Sequence, residues 1–292
     1  MTNPDKVDLS DVLFVLVSCT QEISRQRGLE ATIASLNKEH ERTPFAENLF
    51  VFDNASAIKE PLRKLKAPAL FGFSPENIGY WGALLWTVRN FPAISKRSFK
   101  YIHPIESDLV IRDLHRLAEA KGFLDSNQDF ATVRTQEFNV AWRFFFYKNR
   151  LNPFRVQRSM VSNVNVITNE KVRFRRASGF KSIYETNWHV KVPALHRWEP
   201  FAHALEALAV MGNISEHDFM GEMHKQYRRV ALLDGGVWWI HSGFAKVKEA
   251  DSQMISSYTA PAVLAKHGYR TTRVDCIPSK LPEVSVRKEW RL

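Results

Sequence analysis

The sequence predicts an α/β fold built on an open, mostly parallel sheet flanked by helices. Two observations carry that prediction. Through residue 105, short apolar runs of β-prone residues alternate with helical patterns across short connections, the arrangement that parallel strands joined by crossover helices require. Several of those runs also lead into polar residues able to do chemistry, and in open α/β sheets ligands bind outside the carboxyl ends of the strands.

The elements follow in order. Residues 12–18 form a continuous apolar run, as expected of a parallel strand covered on both faces. Leu29, Ile33 and Leu36 then recur at helical spacing. Residues 49–52 read as a second strand that ends in Asp53-Asn54-Ala55-Ser56, and residues 59–66 as a charged helix. A third strand at 69–73 leads into Pro75-Glu76-Asn77-Ile78-Gly79. Residues 80–91 are apolar enough for a buried helix, with Pro92 as its stop. A fourth strand at 99–105 runs into Glu106-Ser107-Asp108, ahead of an amphipathic helix at 109–120. Asp53, Asn77, Glu106 and Asp108 all fall at or just beyond strand ends.

Residues 130–198 are less regular. They hold a β-prone run at 161–168 and an aromatic block at 142–147, interleaved with Arg143 and beside Lys148; such a block stacks on sugars or bases, or packs into a core. A helix at 199–211 presents Phe201, Leu205 and Leu208 on one face, and 218–227 reads as helical. Short strands at 230–233 and 237–240 flank Asp234-Gly235-Gly236, which reads as a hairpin turn with no ligand role.

At 292 residues, with 45% hydrophobic and 25% charged, the composition is that of an ordinary globular protein. No apolar run approaches the roughly 20 residues that span a bilayer, and Met1-Thr2-Asn3-Pro4-Asp5 is not the start of a signal peptide. The expectation is a cytoplasmic protein. Cys19 and Cys276 are too few for a disulfide framework or a thiolate zinc site. The net charge of +10 is concentrated: from Arg134 to Arg197 thirteen Lys and Arg face only Glu137, Glu170 and Glu185. Such a cluster gathers phosphates, acidic glycans, nucleic acid or an anionic membrane surface, or is a solvated basic face without a partner.

Acids spaced i, i+2 recur as Glu39/Glu41, Glu106/Asp108, Glu216/Asp218 and Glu249/Asp251, so spacing alone does not single one out. Glu106 and Asp108 are distinguished by following a buried strand. At a turn their carboxylates can converge on a hard cation such as Mg²⁺ or Mn²⁺, leaving positions open for diphosphate oxygens. The alternative is a solvated turn, with Asp108 capping the next helix. Glu216 and Asp218 are equally placed to favour a helix start through its dipole, Asp53 and Asn54 to serve turn chemistry, and His241 to be a buried, satisfied histidine.

The order of motifs resembles the family 2 glycosyltransferases and their GT-A relatives. Ser18-Cys19-Thr20 follows the first strand and Arg27 lies on the helix behind it. Asp53-Asn54-Ala55-Ser56, Glu76-Asn77-Ile78-Gly79 and Glu106-Ser107-Asp108 come next; Glu216-His217-Asp218 and His241-Ser242-Gly243 close the pattern. The resemblance implies a Rossmann-like nucleotide-sugar-binding half over residues 1–130, an acceptor-binding and catalytic half of the same GT-A domain over 131–250, and a C-terminal extension over 251–292. It implies that Asp53 binds base or ribose, that Arg27, Asn77 and Gly79 belong to the nucleotide pocket, and that Glu106 contacts ribose or sugar. Asp108 and His241 would hold a divalent metal, Mn²⁺ or Mg²⁺, at the diphosphate, and Asp218 would deprotonate the acceptor hydroxyl. His189, His196 and Trp198 fall where the family places acceptor-side loops. Two residues depart from the family pattern: Glu106 replaces an Asp, and His217 splits the usual adjacent acids, so the base is Asp218 or Glu216.

The activity so implied is transfer of a sugar from a nucleotide diphosphate-sugar, such as a UDP-sugar, to an acceptor hydroxyl with inversion. A carboxylate takes the hydroxyl proton and a metal takes up charge on the leaving diphosphate. The basic segment suits an anionic glycan or lipid-linked acceptor, with peripheral attachment to an anionic membrane. A competing reading makes 134–197 a nucleic-acid-binding surface, whose mark is salt-steep affinity without donor dependence.

Overall fold

Val12–Ser18 forms the strand β1, and all seven residues are buried. A strand covered by helices on both faces has no use for alternating polar residues, which accounts for the unbroken apolar run. The computed structural model describes residues 7–21, 23–45, 47–107, 109–111, 113–136, 157–158, 164–168, 194–210, 213–214, 219, 222–223, 229–239, 275–276, 278 and 280–288.

β1 pairs in parallel with β2 (Leu49–Asn54) on one side and β4 (Tyr101–Glu106) on the other, and β2 pairs in parallel with β3 (Ala69–Ser74). The remaining strands are β5 (Leu109–Ile111), β6 (Phe130–Gln136), β7 (Gln157–Arg158), β8 (Val164–Thr168), β9 (Ala194–Arg197), β10 (Asn213–Ile214), β11 (Arg229–Trp239), β12 (Asp275–Cys276) and β13 (Ser285–Arg287). Among the described residues one sheet runs β13-β3-β2-β1-β4-β9-β6-β11-β8-β7, with β5 also on β11, while β10 and β12 pair separately. The half around β1 is parallel. Beyond β4 the sheet is mixed, because β9 runs antiparallel between β4 and β6, and β5 and β8 run antiparallel to β11. Strand order reverses at β1: the chain moves outward through β2 and β3, then returns to place β4 on the other flank.

Helices cover both faces. The helices α1 (Ile23–Arg42) and α3 (Leu114–Ser126) pack on the face that carries Phe14, Leu16, Val51 and Ile105. The helices α2 (Gly79–Ser95) and α4 (Trp198–Ala209) pack on the face that carries Leu13, Val15, Phe50 and Phe52. Each fully buried side chain of this size contributes about 1.5–3 kcal/mol through removal from water. Leu29, Ile33 and Leu36 of α1, and Phe201, Leu205 and Leu208 of α4, are buried as the periodicity predicted. An ion pair of Arg89 with both carboxylate oxygens of Glu206 links α2 to α4.

Four expectations change. Residues 109–111 are strand, and α3 begins at Leu114 with Asp113 as its N-cap, its side chain accepting from the His115 backbone N–H at 2.9 Å. Asp108 is therefore not the cap of that helix. Pro92 does not stop α2, which runs to Ser95 before Lys96 turns left-handed at φ 54°; the proline removes only the one N–H that would have served the Val88 carbonyl, and the last turn continues past it. Residues 59–66 give only a short 3₁₀ turn, Glu60–Lys64. Gly235-Gly236 is not a hairpin turn: β11 is one continuous strand whose pairing with β6 shifts between Leu232 and Val237, so the glycines sit at an irregularity in the strand.

Pro104 lies inside a central strand, where a missing N–H usually breaks the ladder. The β4–β9 pairing covers only Tyr101 and Ile102, so the upper half of β4 has no β9 partner to lose. Beside it, His103 is completely buried against Phe14, and burial lowers its pKa to about 4. The unfolded chain binds that proton near 6.5, so the folded state is disfavoured as pH falls from about 6.5 towards 4. The slope approaches about 1.4 kcal/mol per pH unit over that window. Melting temperatures between pH 7.5 and 4 should fall accordingly, and less steeply in His103→Phe.

Candidate functional site

The strands β1, β2, β3 and β4 end level with one another. Ser18 is opposite Asp53, Asp53 opposite Phe73, Asn54 opposite Ser74, and Val17 opposite Glu106. The order reversal at β1 opens a crevice beyond these carboxyl ends, where open α/β sheets take ligands. Successive residues alternate faces, so the expected site residues divide between the two sides. Asp53 shares a face with Leu49 and Val51, towards α1; Asn54 and Glu106 share the other with Phe52 and Ile102, towards α2.

On the α1 side, hydroxyls bind two turns together. Thr20 donates its backbone N–H to Ser56 Oγ at 3.0 Å, and Ser18 Oγ lies 3.3 Å from Ser56 Oγ. Ile58 N–H donates to the Thr20 carbonyl, and Gln21 Nε2 donates to the Ala55 carbonyl at 2.7 Å. Ala55 holds φ 55°, a left-handed conformation that a non-glycine residue adopts at a cost of about 1–2 kcal/mol. Asp53 secures this turn. Its side chain is 1% exposed, Oδ1 accepts from the Ser56 backbone N–H at 3.1 Å, and Oδ2 pairs with Lys59 Nζ at 3.2 Å. Lys59 also stands 5.8 Å from the centre of the Phe73 ring.

On the α2 side, the buried Asn54 locks the entry to α2. Nδ2 donates to Asn77 Oδ1 at 2.9 Å and to the Gly79 carbonyl at 3.0 Å, while Oδ1 accepts from Ile78 N–H at 2.9 Å. Asn77 Oδ1 accepts a second bond, from Gly79 N–H, and its Nδ2 reaches Cys19 Sγ at 3.2 Å. Gly79 opens the helix at φ 74°, a conformation that favours glycine. Glu106 ends β4, partly buried.

Asn77, Gly79 and Glu106 thus come to one edge with Asp53, but Asp53 is buried, hydrogen-bonded through Oδ1 and ion-paired to Lys59 through Oδ2. Arg27 is exposed on α1, where its charge acts on Glu30. His196 is not on an acceptor-side loop: it sits on β9, 1% exposed, with Nδ1 3.0 Å from Thr132 Oγ1 and its ring against Phe201. Trp198 begins α4, partly buried, with its ring 6.1 Å from that of Phe99. Asp108, His189, Glu216, Asp218 and His241 lie outside the described residues, as do the aromatic block and most of the basic segment. Among the described residues no three His, Cys, Asp or Glu side chains gather as a metal site would require. A cavity of about 410 Å³ lies at the opposite, amino end of β1, beside Asp8, Phe14, Phe45 and Asn48.

The sequence pattern assigned Lys59 no role, and it set Ser18, Thr20 and Ser56 in two separate motifs without joining their hydroxyls. Lys59 was hidden in a run read as a charged helix, whereas hydroxyl residues at two strand ends were a signal open to notice.

No family model matches the chain, and no curated protein matches it in sequence. Solved structures do resemble it. TarS of S. aureus is 13% identical over 79% of this chain and 60% of its own, with a TM-score of 0.47. Glucosyl-3-phosphoglycerate synthase from Mycobacterium tuberculosis, in complex with Mg²⁺ and UDP, is 13% identical over 90% of this chain and 82% of its own, with a TM-score of 0.44. The mannosyltransferase PcManGT from Pyrobaculum calidifontis, in complex with GDP-Man and Mn²⁺, is 14% identical over 95% and 70%, with a TM-score of 0.46. The chain spans about 60% of the length of the TarS structure it matches.

The hydroxyl cluster makes a direct expectation. Ser56→Ala leaves the buried Thr20 N–H without its acceptor and should lower unfolding free energy by about 1–3 kcal/mol in urea titration.

Proposed function

We propose that the chain is a glycosyltransferase that takes a nucleotide diphosphate-sugar at the carboxyl edge of β1, β2 and β4. The observation that carries the reading is the convergence of four separate motifs, at Ser18-Cys19-Thr20, Asp53-Asn54, Asn77-Ile78-Gly79 and Glu106, on the crevice where strand order reverses. The fit to the family pattern is incomplete at Asp53, which holds the turn and Lys59 instead of facing the crevice.

Asp108 and His241 are the residues proposed to hold Mg²⁺ or Mn²⁺. Their described neighbours support the pairing: Leu109, next to Asp108, is the register partner of Trp239, two residues before His241. A metal there would take up charge on the departing diphosphate.

The catalytic base is proposed as Asp218, with Glu216 as the alternative. Phe219, the neighbour of Asp218, is buried with its ring 4.9 Å from Trp81 in the first turn of α2, and that turn is tied to Asn54 at the crevice. The acceptor is proposed to be anionic because the charge excess lies wholly in residues 134–197.

Two measurements test this reading. UDP and GDP, each with and without Mn²⁺, should be screened by thermal shift. One nucleotide should raise the melting temperature in a metal-dependent way, and Asp108→Ala should abolish the metal-dependent part; an unchanged response in the variant removes the metal assignment. In an assay of nucleotide release from the donor, Asp218→Asn should keep nucleotide affinity and lose turnover by 100-fold or more, on the order of a general base's contribution. Retained turnover there, with loss in Glu216→Gln, moves the base two residues.

A further inference from the structure

We propose that Lys59, held in place by Asp53, is the side chain that recognises the nucleoside portion of the donor, an inference that rests on the nucleotide-binding reading above. Asp53 is the acid that the family resemblance assigns to base or ribose. Its carboxylate is 1% exposed: Oδ1 accepts from the Ser56 N–H, and Oδ2 is buried without a hydrogen bond among the described residues, 3.2 Å from the Lys59 ammonium in an ion pair. An acceptor so enclosed has no oxygen to offer a ligand without breaking a buried ion pair. Lys59 is different. Its side chain is 30% exposed, its ammonium stands 3.2 Å from Asp53 Oδ2 as an ion pair, and an ammonium carries three donors. The charge stays fixed because Asp53 lies behind it and the Phe73 ring flanks it at 5.8 Å.

Position selects the nucleoside over the diphosphate. Lys59 follows β2, whereas the acidic tripeptide follows β4, and β1 lies between them. Two strand spacings separate the two ends by about 10 Å. With the diphosphate at the β4 end, the group near β2 meets ribose hydroxyls or base carbonyls, and those are acceptors suited to an ammonium. The site therefore discriminates nucleosides by acceptors they present, where a free carboxylate would read donors.

The test is calorimetric titration of UDP with Mn²⁺, and of uridine alone, into the wild-type chain and Lys59→Met. The variant should bind both about 10- to 100-fold more weakly, the loss of one hydrogen bond to a charged group, with the Mn²⁺ dependence of UDP binding unchanged. If the orphaned Asp53 charge lowers folding of Lys59→Met, the double variant Lys59→Met/Asp53→Asn removes that charge and carries the same expectation. Wild-type affinity for both ligands in a folded variant overturns the inference while leaving the glycosyltransferase reading intact. Loss of UDP affinity with uridine unchanged also overturns it, by placing the ammonium on the phosphates. Where the wild-type chain takes GDP in place of UDP, the same titrations are run with GDP and guanosine; failure to bind either nucleotide overturns both proposals.

Discussion

The molecule depends on the parallel pairing of β1 with β2 on one flank and β4 on the other. Seven consecutive buried residues make β1 the centre of both cores, and its registers set where every neighbouring strand ends. Because those registers place Ser18, Asp53, Phe73 and Glu106 at about one level, polar residues from distant parts of the chain reach a common edge. A slip of one residue in any of these pairings would exchange the faces and send Asp53 towards α2 and Asn54 towards α1. The crevice is thus a property of the sheet before it is a property of any loop.

The two sides of that edge are built differently. Towards α1, hydroxyl groups and one enclosed ion pair connect the turns after β1 and β2. Towards α2, a single asparagine satisfies three backbone or side-chain partners at the helix entry. Both arrangements spend their polar groups internally and leave little slack, which is what a preorganised binding surface requires. The left-handed Ala55 at the hinge of the α1-side turn is strain retained by that bonding.

The parallel half of the fold was legible because its signals are local. Unbroken β-prone runs mark doubly covered strands, and Leu29, Ile33 and Leu36 mark a one-sided helix. The misreadings came where tertiary partners decide. Residues 109–111 have helical periodicity on paper, yet β11 supplies a strand partner. Gly235-Gly236 has hairpin chemistry, but β8 and β5 hold the strand on either side of it in line. At the candidate site, residue types at strand ends were readable, while orientation was not. His196 meets Thr132 from 64 residues away, and Asp53 meets Lys59 through a turn that the sequence pattern read as helix, so spacing alone did not reveal either pairing.

The outer edge of the sheet carries a consequence of its own. β3 is closed by β13, and Val284, just before β13, packs over Gly72, where an added Cβ would stand 3.2 Å from it. The last strand described in the chain thus completes the half of the sheet that forms first in sequence. On the ribosome, the early strands emerge with this edge bare and wait for nearly all the described chain before it is capped. Until then the hydrogen-bonding groups of β3 are open to any extended segment nearby, so the exposure falls on the nascent protein and the late strand ends it.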